Sequence, residues 1–136
     1  MKRLLFPFII FLMISGRMWA SQILIPMDDT QKNHLKSYGI AYWVLKTHDT
    51  EVEWLLNYRG GAFMFPQAQK FENELTIRGV SYQVISEGEA GQIRAEVTSP
   101  DANMDVVKLQ KPPRVAVYSP KTAQPWDDAV TLAMTY

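Results

Sequence analysis

The spacing of apolar and polar residues predicts strands and helices between residues 21 and 110. A short apolar run, residues 23–25, lies near the start, and oxygens at residues 28–30 are placed to cap a weak helix that Gly39 would end. Residues 40–45 are apolar on both alternating faces and include β-branched and aromatic side chains. That pattern is typical of a strand covered on both sides, so we predict a central strand there.

Residues 51–58 alternate with period two, which predicts a half-buried strand. Acidic and amide side chains occupy one face, and the apolar face carries Val52, Trp54, Leu56 and Tyr58. A loop at residues 47–50 would join this strand to the preceding one as a hairpin.

A strand, a helix and a strand are predicted after the glycine pair at residues 60 and 61. Residues 62–65 form a short apolar strand. Residues 67–78 then carry apolar side chains at helical spacing, and Gly79 is placed to end that helix; these side chains are Ala68, Phe71 and Leu75. With a strand predicted at residues 80–85, this order favours a crossover unit.

The next stretch is predicted to continue as strands. Residues 93–98 alternate in the strand manner, and the glycines within residues 87–91 suit a turn before them. Residues 106–109 indicate a further strand.

Two consecutive prolines make residues 111–114 the predicted boundary of this region, because they exclude both helix and central strand. Residues 115–118 then predict a strand, and a helix opens at Pro125. That helix stops in mid-pattern at Tyr136, which we interpret as an interrupted βα unit; a natural short C-terminal helix is the alternative. The predicted fold class is therefore α/β: a mixed α+β region at residues 21–110, followed by the first strand and helix of an α/β domain.

The first twenty residues have the three-part layout of a secretory signal peptide. Lys2 and Arg3 precede an apolar run at residues 4–14, and small residues lead to a cleavage site after Ala20. The run is 11 residues long, too short to cross a bilayer. A buried N-terminal helix is the alternative, and Pro7 within the run argues against it. We predict an exported protein, periplasmic or secreted, with no stable membrane anchor after cleavage.

Composition limits the possible partners of the exported part. The chain has no cysteine, so neither a disulfide framework nor a lipid-modified cysteine can form. Removing Lys2, Arg3 and Arg17 from the 14 basic residues leaves 11 against 14 acidic ones, a formal charge of −3. Nucleic acid is not expected as a partner because basic residues are not clustered.

Motifs with recognisable chemistry are missing from the sequence. It contains no nucleophile elbow, phosphate loop, dinucleotide-binding loop or zinc-protease motif. His34 and His48 are interpreted as solvated loop residues, since spacing supplies no set of three or four metal ligands. Residues 101–105 begin like a calcium loop, but Val106 replaces the required glycine. We therefore predict no catalytic residue, no metal and no cofactor.

Two segments are candidate ligand-binding sites. The first comprises Arg59, Gly60 and Gly61, where paired glycines let backbone amides approach an anion beside a guanidinium. A bend that ends a strand is the simpler alternative there. The second lies between the predicted strand and helix at residues 119–128, where ligands gather on open α/β sheets; its candidates are Ser119, Trp126, Asp127 and Asp128. Helix capping and packing are the alternative for the second segment.

Four phrases, at residues 25–36, 38–43, 54–61 and 125–132, together resemble an exported bacterial family commonly labelled asparagine synthetase B. The resemblance covers nearly all of the predicted mature chain. It implies a large α/β protein that continues well past residue 136, with a region similar to class I glutamine amidotransferases from about residue 115 and a cysteine elbow beyond Tyr136. Glutamine-dependent asparagine synthetases begin with a cysteine and bind ATP through a glycine-serine loop. This chain has neither, so we interpret the label as inherited.

Three hypotheses about function follow. The chain is the N-terminal part of an exported amidotransferase-like or hydrolase-like protein of unknown substrate, or a non-catalytic exported binding module, or an active enzyme as it stands. The first is favoured by the family phrases and the unfinished helix. The second is favoured by aromatic-rich strands without a nucleophile. The resemblance makes glutamine hydrolysis the assay for the third.

Overall fold

The computed structural model describes residues 21–114 and the single residue 116. The predicted signal peptide at residues 1–20 lies outside this described part. The strand and helix predicted after residue 114 also lie outside it, apart from Ala116.

Five strands form one sheet, and three helices pack against it. The strands are β1 (Ser21–Ile25), β2 (Val52–Leu56), β3 (Ala62–Pro66), β4 (Gln83–Ser86) and β5 (Asp105–Leu109). The helices are α1 (His34–His48), α2 (Gln69–Arg78) and α3 (Glu87–Val97), and a 3-10 turn spans Tyr58–Gly60. The sheet order is β4-β1-β3-β2-β5, and all neighbouring strands are antiparallel. The α/β prediction is confirmed.

The first six elements follow the order β-α-β-β-α-β, and their four strands lie in the order 4-1-3-2. This is the topology of the ferredoxin-like fold. Because β3 and β4 are each antiparallel to β1, they run parallel to each other with β1 between them. The predicted crossover around α2 is therefore confirmed. Helix α3 and strand β5 extend this arrangement, and β5 pairs with β2 at the far edge.

Apolar side chains fill both faces of the sheet. On one face, α1 and α2 cover Ile23, Phe63 and Phe65 in the larger of two buried clusters. On the other face, α3 contributes Ala90 to a smaller cluster with Leu24 and Met64. A sheet with helices on both faces buries alternate side chains of each strand in different cores.

Helix α1 overturns four predictions: the cap at residues 28–30, the end at Gly39, the strand at 40–45 and the hairpin loop at 47–50. Its N-cap is Asn33, whose side chain accepts a hydrogen bond from the Lys36 amide at 3.2 Å. The helix runs through Gly39, where the sequence predicts a helix end, replaces the strand predicted at residues 40–45 and takes in the first two residues of the loop predicted at 47–50. Because a helix precedes β2, no β-hairpin forms there. Its buried residues recur at helical spacing; they are Ser37, Ile40, Ala41, Val44 and Leu45. A six-residue apolar run fits a covered strand and a buried helix equally, so alternation alone misassigns it.

Helix α3 overturns the turn predicted at residues 87–91 and the strand predicted at 93–98. Ser86 and Glu89 form a reciprocal capping box, in which each side chain accepts from the other residue's backbone amide. This cap stabilises a helix start in a stretch whose two glycines favour a turn. The carboxylates in the first turn add a favourable interaction with the helix dipole.

Strands β3 and β5 agree with the predictions, whereas β1 forms from an apolar run for which no strand is predicted. Strand β2 ends at Leu56 instead of residue 58, because Tyr58 belongs to the 3-10 turn. Strand β2 is covered on both faces rather than one, since Leu55 is fully buried in the α3-side cluster. Strand β4 begins at Gln83 instead of residue 80, because the Val80 amide still bonds the Leu75 carbonyl at the end of α2. Gly79 takes the predicted left-handed conformation there, with φ of 68°.

Candidate functional site: an aromatic groove beside the Arg59 turn

The segment from Asn57 to Gly61 follows an unusual backbone path between β2 and β3. Four of its five residues have positive φ: 61° at Asn57, 45° at Arg59, 79° at Gly60 and 97° at Gly61. L-residues rarely adopt such values, and the two non-glycine residues are strained there. The Gly61 amide closes the turn on the Tyr58 carbonyl at 2.9 Å.

Gly60 allows this turn to touch the loop that follows β1. A Cβ atom at Gly60 would lie only 2.4 Å from the Met27 carbonyl oxygen. The Met27 amide in turn donates to the Arg59 carbonyl at 2.9 Å. Two backbone segments therefore meet at a position that only glycine fits.

The Arg59 guanidinium ties three parts of the chain together. Its Nε lies 2.7 Å from Asp28 Oδ2, and its two terminal nitrogens each lie 3.2 Å from an oxygen, Thr30 Oγ1 and Gln83 Oε1. The Thr30 hydroxyl and the Arg59 guanidinium hold the pKa of Asp28 at about 2, well below its ordinary 3.8.

This arrangement bears on the predicted anion site at Arg59, Gly60 and Gly61. All three guanidinium nitrogens have protein partners, so in this structure Arg59 positions the β1–α1 loop against the turn and β4. The anion-binding role of the three residues stays a prediction. The other candidates, Ser119, Trp126, Asp127 and Asp128, lie outside the described residues.

Trp54 connects the Arg59 turn to an open groove. Its indole Nε1 donates to the Gly61 carbonyl at 3.1 Å. Its ring stacks on Phe63 at 6.1 Å between centroids, and Tyr38 meets Phe63 edge-to-face at 5.4 Å. The turn therefore fixes the orientation of a side chain that lines the groove.

The groove lies between α1, the sheet near β5 and the proline segment after β5. Its volume is about 420 Å³. Helix α1 contributes Tyr38, Ala41, Tyr42 and Leu45; the sheet contributes Trp54, Phe63 and Leu109; the segment after β5 contributes Lys111 and Pro113. The two tyrosines are 49% and 40% exposed, so large aromatic side chains face solvent at this groove.

The groove adjoins a second, basic cavity of about 770 Å³, which is called the mouth below. Four residues line both the groove and the mouth: Tyr42, Leu45, Lys111 and Pro113. Lys46 and Arg114 line only the mouth, together with one acidic residue, Asp49. The Lys46 ammonium lies 5.4 Å from the Tyr42 ring centroid. The interior is thus apolar, and positive charge gathers at the mouth.

The sequence predictions do not identify this groove, because its walls come from three distant parts of the chain: α1, strands β2 and β3, and the segment that begins at the end of β5. The one local signal is the spacing of Tyr38 and Tyr42, which share a face of one continuous helix but not of a helix that ends at Gly39 and is followed by a strand. Assigning residues 40–45 to a strand removes that signal.

Other kinds of site receive little support within residues 21–114. No group of three or more His, Asp or Glu side chains there is placed to hold a metal ion. The described helices include none whose length and apolar character would let it cross a membrane. His48, predicted to be a solvated loop residue, ends α1 with its ring against Trp43 and Phe71.

No protein-family model, curated protein or solved structure matches this chain. The interpretation of the site therefore depends on its geometry.

Proposed function

We propose that residues 21–114 form a non-catalytic binding domain of an exported amidotransferase-like or hydrolase-like protein, and that the aromatic groove is its ligand site. The observation that carries the proposal is the groove itself. Its volume of about 420 Å³ lies within the range of small-molecule sites, which are mostly apolar and concave. Exposed tyrosines beside a buried core are typical of surfaces that bind a ligand.

The family resemblance supports the same region. The phrase at residues 25–36 contains Asp28, the phrase at 38–43 contains Tyr38 and Tyr42, and the phrase at 54–61 contains Trp54 and Arg59. Two of the four phrases thus supply residues of the groove and of the turn that orients Trp54, and a third supplies Asp28, which contacts that turn. Together with the predicted signal peptide, this favours a binding role within an exported protein of that family, in which asparagine synthetase remains a label by resemblance only.

The surroundings of the histidines favour binding over catalysis in this part of the chain. The Nε2 atom of His34 lies 3.1 Å from the Met27 carbonyl, and Nδ1 of His48 lies 3.0 Å from the Lys70 ammonium. Within residues 21–114 neither ring bonds a hydroxyl that it could activate, and cysteine is absent from the whole sequence. A nucleophile beside a base is the arrangement that acyl transfer requires.

A neutral solvatochromic dye, Nile red, tests the groove without involving charge. The full chain should bind it saturably with a blue-shifted emission. Tyr42→Glu places a charge in the apolar wall, so we expect dye affinity to fall by about tenfold or more. Ile77→Glu is the control, because Ile77 is 78% exposed on α2 and does not line the groove; its affinity should stay within about twofold of wild type.

Two results would contradict the proposal. One is a chain that is folded by circular dichroism yet binds no dye, or loses affinity equally in both variants. The other is ammonia release from glutamine above a blank, which would mean that the chain is an enzyme as it stands.

A further inference from the structure

We propose that the groove binds an anionic amphiphile, with a single alkyl chain against the aromatic walls and a carboxylate head group at the mouth. This inference rests on the proposed function and specifies its ligand class. It is carried by the contrast between the groove interior and the mouth.

The interior offers apolar contact but few hydrogen-bonding groups. The Trp54 indole N–H is already donated to the Gly61 carbonyl, so the ring presents carbon to the groove. Besides Lys111, which lines both the groove and its mouth, the remaining side chains carry polar atoms only in the Tyr38 and Tyr42 hydroxyls; the others are Ala41, Leu45, Phe63, Leu109 and Pro113. A sugar or a nucleobase would leave several polar groups without partners here, which strongly disfavours such ligands. An alkyl chain has none to satisfy.

The mouth supplies the complementary charge for an anionic head group. Lys46, Lys111 and Arg114 line it, opposed by Asp49. Among residues 21–114, none of these three cations lies within 4.0 Å of a carboxylate oxygen. The same residues contain 10 basic and 12 acidic side chains, a formal charge of −2. The positive mouth is therefore a local feature of an acidic domain, and it favours an anion at this one place.

The positions of the cations fit a ligand that enters chain first. Lys111 lines both the groove and the mouth, so this residue lies at the boundary where a head group would follow the chain. Lys46 is held near the Tyr42 ring, which belongs to both spaces. Apolar stems of Lys side chains cover apolar surface while their charges face water, so this rim can contact both parts of an amphiphile.

Calorimetric titration of the full chain with three ten-carbon probes, each below its critical micelle concentration, tests the ligand class. The probes are decanoate, decyl glucoside and decyltrimethylammonium. We expect decanoate to bind about tenfold more tightly than the neutral glucoside, and the cation to bind most weakly. Lys111→Glu should weaken decanoate by about fivefold or more, whereas Lys32→Glu, the same charge change at an exposed residue outside the groove, should stay within about twofold.

The results separate the ligand class proposed here from the proposed binding function. Equal affinity for decanoate and the glucoside, with Nile red still bound, would overturn the anionic class and leave the binding function standing. Loss of Nile red binding as well would overturn both. Binding to vesicles of anionic phospholipid without binding to monomeric decanoate would also overturn the inference, because it would assign the surface to membranes.

Discussion

Gly60 and Gly39 differ in what surrounds them, although both fall in segments that the sequence predicts to bend or end. Gly60 has φ of 79° and lies against the Met27 backbone. Gly39 lies inside α1, where a Cβ atom would meet nothing within 4 Å apart from the backbone of its own helix. The sequence alone does not distinguish these two glycines, because a glycine indicates that the backbone can adopt a positive φ but not whether it does so.

Replacing each glycine by alanine separates these roles. Gly60→Ala must move the Met27 backbone and also strain φ, so we expect a loss of about 1–3 kcal/mol or more in the free energy of unfolding. Gly39→Ala, the matched control, should raise it by about 0.5–1 kcal/mol, since alanine favours a helix interior. Urea denaturation measures both. A Gly60→Ala chain as stable as wild type would contradict the close contact described for the turn.

Asp28 gives the Arg59 turn a dependence on pH. Its pKa is about 2 in the folded chain against an ordinary 3.8, so the unfolded chain binds a proton more readily. The contribution of Asp28 to stability is therefore complete above about pH 4 and is lost as the pH falls from there towards 2. Asp28→Asn should reduce the drop in urea midpoint between pH 6 and pH 2.5. Asp29→Asn, a change at an exposed neighbour, should leave that drop as in wild type.

At the scale of elements, the predictions succeed where a pattern has one interpretation and fail where it has two. Strands β2, β3 and β5 and helix α2 follow from alternation, helical spacing and the closing Gly79. The prediction for α1 is wrong because six consecutive apolar residues suit either element. The prediction for α3 is wrong because it gives more weight to the two glycines, which favour a turn, than to Ser86 and Glu89, which are spaced as a capping box. The sequence therefore does contain a signal for this helix.

The candidate site was predictable only in part, for a related reason. The Arg59 turn is visible in the sequence as an interruption of strand alternation by two glycines. Its partners are not, since Asp28 and Gln83 lie 31 and 24 residues away and meet it only through the sheet order. The groove depends further on α1 being a helix. Because residues 40–45 are assigned to a strand, the sequence analysis does not bring the aromatic residues of the groove together.

At the scale of the molecule, the asymmetry of the fold creates the groove. Helices α1 and α2 cover one face of a sheet that β5 widens at the edge beside β2. The face of β5 next to α1 is left with an open space, and residues of the proline segment form its outer side. A ferredoxin-like unit of four strands would lack that edge, so the groove depends on the added strand β5.

The most direct test is a ¹H–¹⁵N NMR titration of the full chain with Nile red. We expect the largest shift changes to include the amides of Tyr38, Tyr42, Leu45 and Leu109 and the indole N–H of Trp54, while α3 amides stay unchanged. Shift changes centred on α3, or spread evenly over the domain, would contradict a ligand site in the groove between α1 and the sheet edge.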